Sequence, residues 1–368
     1  MKINQFEPYI GEEEYIAIKG CFDDNWITEG KRSESFSKKL LDLTGAKYGV
    51  FAQNGTLALY LALRAIDIKP GDEVIVPNFT FIASANAVEM VGATPIFVDV
   101  DIESLQIDIE ECKKVLTGNT KAIMPVHIYG MSVDMSKVLE FAKTNNLRVV
   151  EDAAQGIGVT WDGKHTGTFG DVGCFSFFAD KTITTGEGGY VVTNNEEIYK
   201  KLLYLRNQGR LNRGSFIHPE IGYNFRITDI QAAIGLVQIS KLSDIIEKKK
   251  NLLNEYKNQL SNISGIKIIE PPAESLSNHI PFRVVLICEQ PVENLMKYFT
   301  DKDIETRTVF YPLHRQPCYG LGLSDEDFKN SIYAYEHGIC LPSYPTLSFD
   351  KVAYICDTIK EYYGSKRH

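Results

Sequence analysis

The sequence predicts an α/β protein, with a mainly parallel sheet flanked by helices and a smaller α+β unit after it. Three observations predict this. From about residue 47 to residue 152, short β-rich runs alternate with helical patterns of about 10–15 residues, the signature of βαβ units. After Asp152 that rhythm stops, and a hairpin signal and two long helical patterns replace it. From roughly residue 262 onward, short strands alternate with helical stretches again, without the long parallel series.

The elements follow in order. YGVFAQ precedes GTLALYLALRAI, DEVIVP precedes TFIASANAVEMV, TPIFVDV leads to DIEECKKVL, and KAIMPVHI leads to DMSKVLEFAKTNN. RVVEDAA closes the series. GVTWDGKHTGT then carries Asp162-Gly163 between two extended runs, a hairpin turn. CFSFF and GGYVVTNN are strands on either side of a loop holding Lys181, and helices are expected over about 195–208 and 228–260. The last part contributes strands GIKII, FRVVLIC and IETRTVF and helices VENLMKYFT and FDKVAYICDTIKEYY. We place the division at 1–245, a large α/β domain, and 246–368, a small α+β domain.

Composition narrows the function. The 368 residues are 44% hydrophobic and 24% charged, ordinary for a globular chain. A net charge of −9 argues against a nucleic-acid partner, and Lys248–Lys250, following Glu247 in a helical pattern, read as a solvated face. The seven cysteines are scattered, without CxxC or zinc spacing, so a reducing compartment and no metal are expected. MKINQFEPYIGEEE lacks the apolar core of a signal peptide, and no apolar run reaches the roughly 18 residues of a membrane span. A cytoplasmic protein is expected.

Ligand sites in parallel sheets lie at the carboxyl ends of strands, so those loops carry the search. GVTWDGKH nearly fits a P-loop, but His165 replaces the metal-binding hydroxyl and a hairpin replaces the strand–loop–helix. No G-x-G-x-x-G follows a strand. Asn54-Gly55-Thr56, between a strand and a helix, offers amides and a hydroxyl to a phosphate; helix capping is the ordinary alternative. Asp152 ends the strand RVV, where it meets a ligand or caps a helix. Lys181, beyond an apolar strand, is an exposed loop lysine or a desolvated amine able to attack a carbonyl. Thr80-Phe81 offers an aromatic for stacking or for the core. Phosphate cradle, strand-end carboxylate and desolvated lysine together match what pyridoxal phosphate requires.

At these residues the chain resembles the DegT/DnrJ/EryC1/StrS sugar aminotransferases, fold-type I pyridoxal-phosphate enzymes with a seven-stranded sheet. NWITEG, NGTLAL, PNFTFIASANAV, VHIYG, EDAAQ, GTFGDVGCFSFF, KTITTGEGG, GYNFRITDIQAAIG, FYPLHRQPCY and LPSYPTL occur in the family's order across nearly the whole chain. The resemblance implies that Lys181 forms the Schiff base and shuttles protons, Asp152 pairs with the pyridinium nitrogen and Gln155 reaches the ring hydroxyl. Gly55, Thr56 and Ser176 would bind the phosphate, and Phe81 would stack on the ring. Asn224 would reach the phosphate from a partner subunit with Arg226 nearby, making a homodimer with shared active sites. Trp26 and Thr28 lie in the matching substrate loop, and His314 would approach the substrate.

Lysine rather than histidine at 181 favours transamination over dehydration, with L-glutamate as donor. The implied acceptor is the C4 ketone of a nucleotide-linked 4-keto-6-deoxy sugar, of the GDP-4-keto-6-deoxymannose type that yields perosamine for surface polysaccharide. Two residues depart from that branch: Asp180 stands where asparagine is usual, and HIPFR brings Arg283, a candidate phosphate or carboxylate ligand or an exposed strand arginine. They leave another nucleotide sugar or a small phosphorylated ketone as the alternative acceptor. A family member acting as a regulator is the reading from another class, and the intact Lys181 and Asp152 speak against it.

Overall fold

The apolar runs of the first half form β1 (Tyr48–Ala52), β2 (Glu73–Pro77), β3 (Thr94–Val98), β4 (Thr120–Ile123) and β5 (Arg148–Asp152). The two-stranded hairpin β6 (Thr160–Trp161) and β7 (Lys164–His165) follows, then β8 (Val172–Ser176) and β9 (Gly189–Thr193). This is a computed structural model that describes residues 2–210, 216–320 and 322–365. Seven strands make one sheet in the order β1-β9-β8-β5-β4-β2-β3. Pairings from β8 through β3 are parallel, and β9 alone runs against its neighbours β1 and β8. Every residue of β8 and β9 is buried, as strands covered on both faces require.

The helix Gly55–Ala65 fills one face because nearly all of it is apolar, with Ala58 through Leu63 buried. The hairpin turns on Asp162 and Gly163, at φ 48° and 74°, the left-handed pair a tight two-residue turn needs. That hairpin removes the P-loop reading of GVTWDGKH.

The smaller sheet contains β10 (Ile266–Ile268), β11 (Val284–Cys288), β12 (Arg307–Thr308) and β13 (Gly338–Leu341), all antiparallel, in the order β10-β11-β13-β12. Of the expected strand IETRTVF only Arg307–Thr308 joins the small sheet; Ile304 makes an isolated bridge to Ile3. Pro312, without an N–H, gives nothing to a longer ladder.

The helix expected over 228–260 is two, Asp229–Ser240 and Leu242–Leu260. No glycine or proline marks the break. The first lies on the helices Glu12–Asp23 and Lys31–Thr44, and the second packs on the helix Phe349–Ser365. Lys241, at the junction, is held 2.7 Å from Glu13 and 2.8 Å from Glu14. The expected division at 245/246 falls within Leu242–Leu260: Leu242 and Ile245 join a core beneath the large sheet, whereas Leu252, Tyr256 and Leu260 join that of the small sheet. Ile3 also sits in the small-sheet core, bridged to Ile304, so the N-terminal segment crosses to the other end of the chain. Among the described residues no helix is long and apolar enough to cross a membrane.

Candidate active site

The strand ends open into one cavity of about 450 Å³. Eight of the expected residues line it: Gly55, Thr56, Phe81, Asp152, Gln155, Ser176, Lys181 and Arg283. Segments as far apart in sequence as Gly55 and Lys181 converge there because β1, β5 and β8 all deliver their carboxyl ends to the same edge of the sheet.

At one end, Asn54 caps the helix, its Oδ1 accepting the Leu57 N–H at 2.9 Å. The amides of Gly55 and Thr56, in the first helical turn, have no acceptor within their helix and face the positive end of its dipole. Both alternatives for this segment therefore hold: Asn54 caps, and its two neighbours remain available to an anion. A Cβ on Gly55 would lie 2.9 Å from Ser176 Cβ and 3.1 Å from its Oγ. Only glycine leaves room between these two walls, and the pocket so formed suits a phosphate.

The carboxylate of Asp152 is oriented rather than free. Its Oδ2 accepts the Ser84 hydroxyl at 2.7 Å and its Oδ1 the Ala154 N–H at 3.1 Å. Gln155 Oε1 accepts the Tyr129 N–H at 2.7 Å, which leaves the amide nitrogen for a ligand. That contact needs an unusual backbone, with φ of 55° at Tyr129 and 82° at Gly130. A Cβ at 130 would overlap the Ile280 carbonyl oxygen at 1.7 Å. Phe81 is 58% exposed, although it lines the cavity, so a broad aromatic face stands open there. An acidic partner, an open aromatic and an anion cradle around a lysine fit the nitrogen, ring and phosphate of pyridoxal phosphate.

Lys181 is only 17% exposed, with Nζ 4.6 Å from the centre of the Phe282 ring. Burial is the main influence and lowers its proton affinity; Asp180 and Asp152 raise it, and Arg283 lowers it. The threonines and glycines around it stitch the loop closed. Thr184 Oγ1 donates to Phe177 O at 3.0 Å, Thr185 N to the same oxygen at 3.0 Å, and Thr185 Oγ1 to Glu187 O at 2.6 Å.

Five expected residues lie outside the cavity lining. Trp26 is 50% exposed, and its loop is anchored by the Asp229 N–H to the carbonyls of Ile27 and Thr28. Asn224 is on the surface, accepting a hydrogen bond from Arg226 Nε at 2.9 Å. His314 was expected to approach the substrate, but its ring is buried: it meets Asn78 at 2.9 Å and Asp325 at 2.9 Å and stacks on Phe328. In this chain it braces the segment rather than facing the cavity.

Sequence reasoning missed other wall residues. Arg307 and Phe310 come from the short β12 and its exit, and Tyr129 from the turn in VHIYG. Glu151 was passed over beside Asp152, yet successive strand residues face opposite ways. Its fully buried carboxylate accepts N–H groups from Gly167 at 2.6 Å and from Phe169 and Gly170 at 2.7 Å, and meets His127 at 3.0 Å. A carboxylate followed by the glycine-rich GTFGDVG was the available signal.

With this geometry in place, comparison with known proteins is informative. The profile of the DegT/DnrJ/EryC1/StrS aminotransferase family matches residues 8–360. The chain is 40% identical over 365 residues to GDP-perosamine synthase of Escherichia coli O157:H7, covering 98% of each chain. It is 37% identical over 364 residues to GDP-perosamine synthase of Vibrio cholerae, again covering 98% of each. Among solved structures it is similar to Helicobacter pylori PseC, an aminotransferase involved in the biosynthesis of pseudoaminic acid. That match has a TM-score of 0.94 and 25% identity, over 99% of this chain and 100% of that one.

Proposed function

The chain belongs to the DegT/DnrJ/EryC1/StrS aminotransferase family and is a pyridoxal-phosphate-dependent aminotransferase; from that premise we propose its substrates and the roles of its residues. L-Glutamate is the donor and the C4 ketone of a GDP-linked 4-keto-6-deoxy sugar the acceptor, giving an amino sugar nucleotide for surface polysaccharide. The observation that carries the reading is the convergence of Thr56, Asp152 and Lys181 on one cavity, in a chain 37–40% identical to GDP-perosamine synthases.

Bound pyridoxal phosphate supplies an electron sink. The protein supplies everything else. Gly55 and Thr56 N–H groups, with the Thr56 and Ser176 hydroxyls, would hold the phosphate. Asp152, fixed by Ser84, would keep the pyridine nitrogen protonated, Gln155 would meet the ring hydroxyl, and Phe81 would stack on the ring. Lys181 Nζ takes a proton as a neutral amine and returns it as an ammonium, which its burial favours. Arg283, a candidate ligand for a phosphorylated acceptor, is already paired with Asp180 and Gln5.

The reading includes a homodimer in which Asn224, Arg226, Trp26 and Thr28 complete the partner's site. What supports it is exposed apolar surface in the same segments, with Trp26 at 50%, Ile27 at 52% and Ile221 at 78%. The enzyme is placed in the cytoplasm, in keeping with seven unpaired cysteines. The test is glutamate-dependent amination of GDP-4-keto-6-deoxymannose by purified protein, run beside UDP- and dTDP-linked keto sugars. Turnover on the GDP sugar at least tenfold above the others is expected. Preference for another nucleotide would overturn the acceptor assignment.

A further inference from the structure

Asp180 and Arg283 are the two positions where the sequence leaves the pattern it otherwise resembles. They lie 103 residues apart and form one ion pair, with Arg283 Nη2 2.5 Å from Asp180 Oδ2. Both side chains are about nine-tenths buried, at 10% and 9% exposure. The arginine is held from its other nitrogen, Nη1 donating to Gln5 Oε1 at 2.6 Å. Arg307 Nη1 approaches the same Oδ2 at 3.9 Å.

The second carboxylate oxygen is different. Asp180 Oδ1 is buried, accepts no hydrogen bond, and lies 3.9 Å from Lys181 Nζ. Leaving a buried acceptor unpartnered is costly, so a partner acquired during the reaction is its physical rationale. The gap is too long for a hydrogen bond now and short enough for a flexible lysine to close.

We propose that Asp180 is the docking point of the Lys181 ammonium: once Nζ has taken up a proton it donates to Oδ1, while Arg283, itself held by Gln5, grips the carboxylate and cancels much of its charge. This rests on Lys181 being the proton-carrying amine of the reaction proposed above. Asp180 alone would keep the lysine charged, and Arg283 alone would repel it; the pair lets the amine both accept the proton and release it. Both are positioning residues. The other charged side chains lining the pockets around Nζ, among the described residues, are Asp152 at the end of β5, Glu187 on the loop, Arg307 on β12, Glu7 of the N-terminal segment, and Lys249 behind Arg283. Lys249 donates to the carbonyls of Pro281, Phe282 and Ser343 at 3.3–3.4 Å, so it does not occupy Oδ1.

The experiment is a pH titration of the lysine-linked cofactor absorbance in the holoenzyme. Asp180→Asn should move the midpoint down by about one unit, Arg283→Met should move it up, and the double variant should return toward wild type. In cofactor-free protein, the pH dependence of Lys181 acetylation by acetic anhydride, read by mass spectrometry, should show the same ordering. If Asp180→Asn does not fold around the stranded arginine, the upward shift in Arg283→Met and its reversal in the double variant carry the test. Midpoints that stay at the wild-type value, or that move the same way in both single variants, overturn the proposal. A wild-type protein with no lysine-linked absorbance at all instead overturns the reading of Lys181, and this one with it.

Discussion

At the strand-end wall of the cavity, Asp152 and Ser176 end strands of one sheet, Gly55 and Lys181 follow such strand ends, and all four are fixed by close packing, buried hydrogen bonds or a closed loop. Elsewhere, Trp26, Asn224 and Arg226 come from surface segments of the same chain and line no part of its cavity. The first region is drawn together within one chain; the second lies outside that chain's cavity, and the homodimer proposed above would give it a role. Chemistry that must hold a cofactor rigidly sits on buried strand ends. Recognition that can be shared between subunits is left to exposed segments.

Several variants would break or sharpen this contrast. Lys181→Ala should abolish the cofactor absorbance band and lower turnover by about 10⁴-fold or more, with thermal stability of the cofactor-free protein nearly unchanged. Retained turnover would remove Lys181 from the chemistry. Glu151→Ala should act through the scaffold. It strands the N–H groups of Gly167, Phe169 and Gly170, and should cost about 3 kcal/mol in denaturant unfolding.

Asn224→Ala tests the other region. It should weaken cofactor retention by about tenfold to a hundredfold without altering stability. Mixed with Lys181→Ala under conditions that exchange subunits, it should recover activity, because each hybrid dimer holds one site with both residues intact. No recovery would mean that sites are not shared. The smallest effect is expected of Gly55→Ala, whose methyl meets Ser176 Cβ at 2.9 Å. Cofactor affinity should fall about tenfold, or 1.4 kcal/mol, as read by equilibrium dialysis.

The two regions also differ in how far the sequence disclosed them. The strand–helix alternation placed Gly55 and Asp152 at or just beyond strand ends, and parallel topology brings such ends together whatever the intervening loops do; Ser176 was named only through the family resemblance. The hairpin at Asp162-Gly163 was readable from turn chemistry alone. Contacts that depend on chain path were not readable. The Asp180–Arg283 pair joins a loop to the residue just before β11 of the other sheet, and Ile3 reaches Ile304 across nearly the whole chain. No local pattern encodes either. His314 misled because a polar ring in a motif looks available, whereas packing on Phe328 buries it. The break at Lys241 was hidden because tertiary ties to Glu13 and Glu14, not a helix breaker, accompany it.

Two buried lysines flank the Asp180–Arg283 pair, and they set the decisive measurement. Lys249 is pushed down to about 7, mainly by burial, so it is the second lysine to test. It differs from Lys181 in facing three backbone carbonyls instead of the cavity that Thr56 and Asp152 line. Reducing the holoenzyme with borohydride fixes the cofactor to whichever lysine carries it, and peptide mass spectrometry then reads the position. The account predicts the phosphopyridoxyl mass on Lys181 alone; finding it on Lys249, or on no lysine, would contradict it.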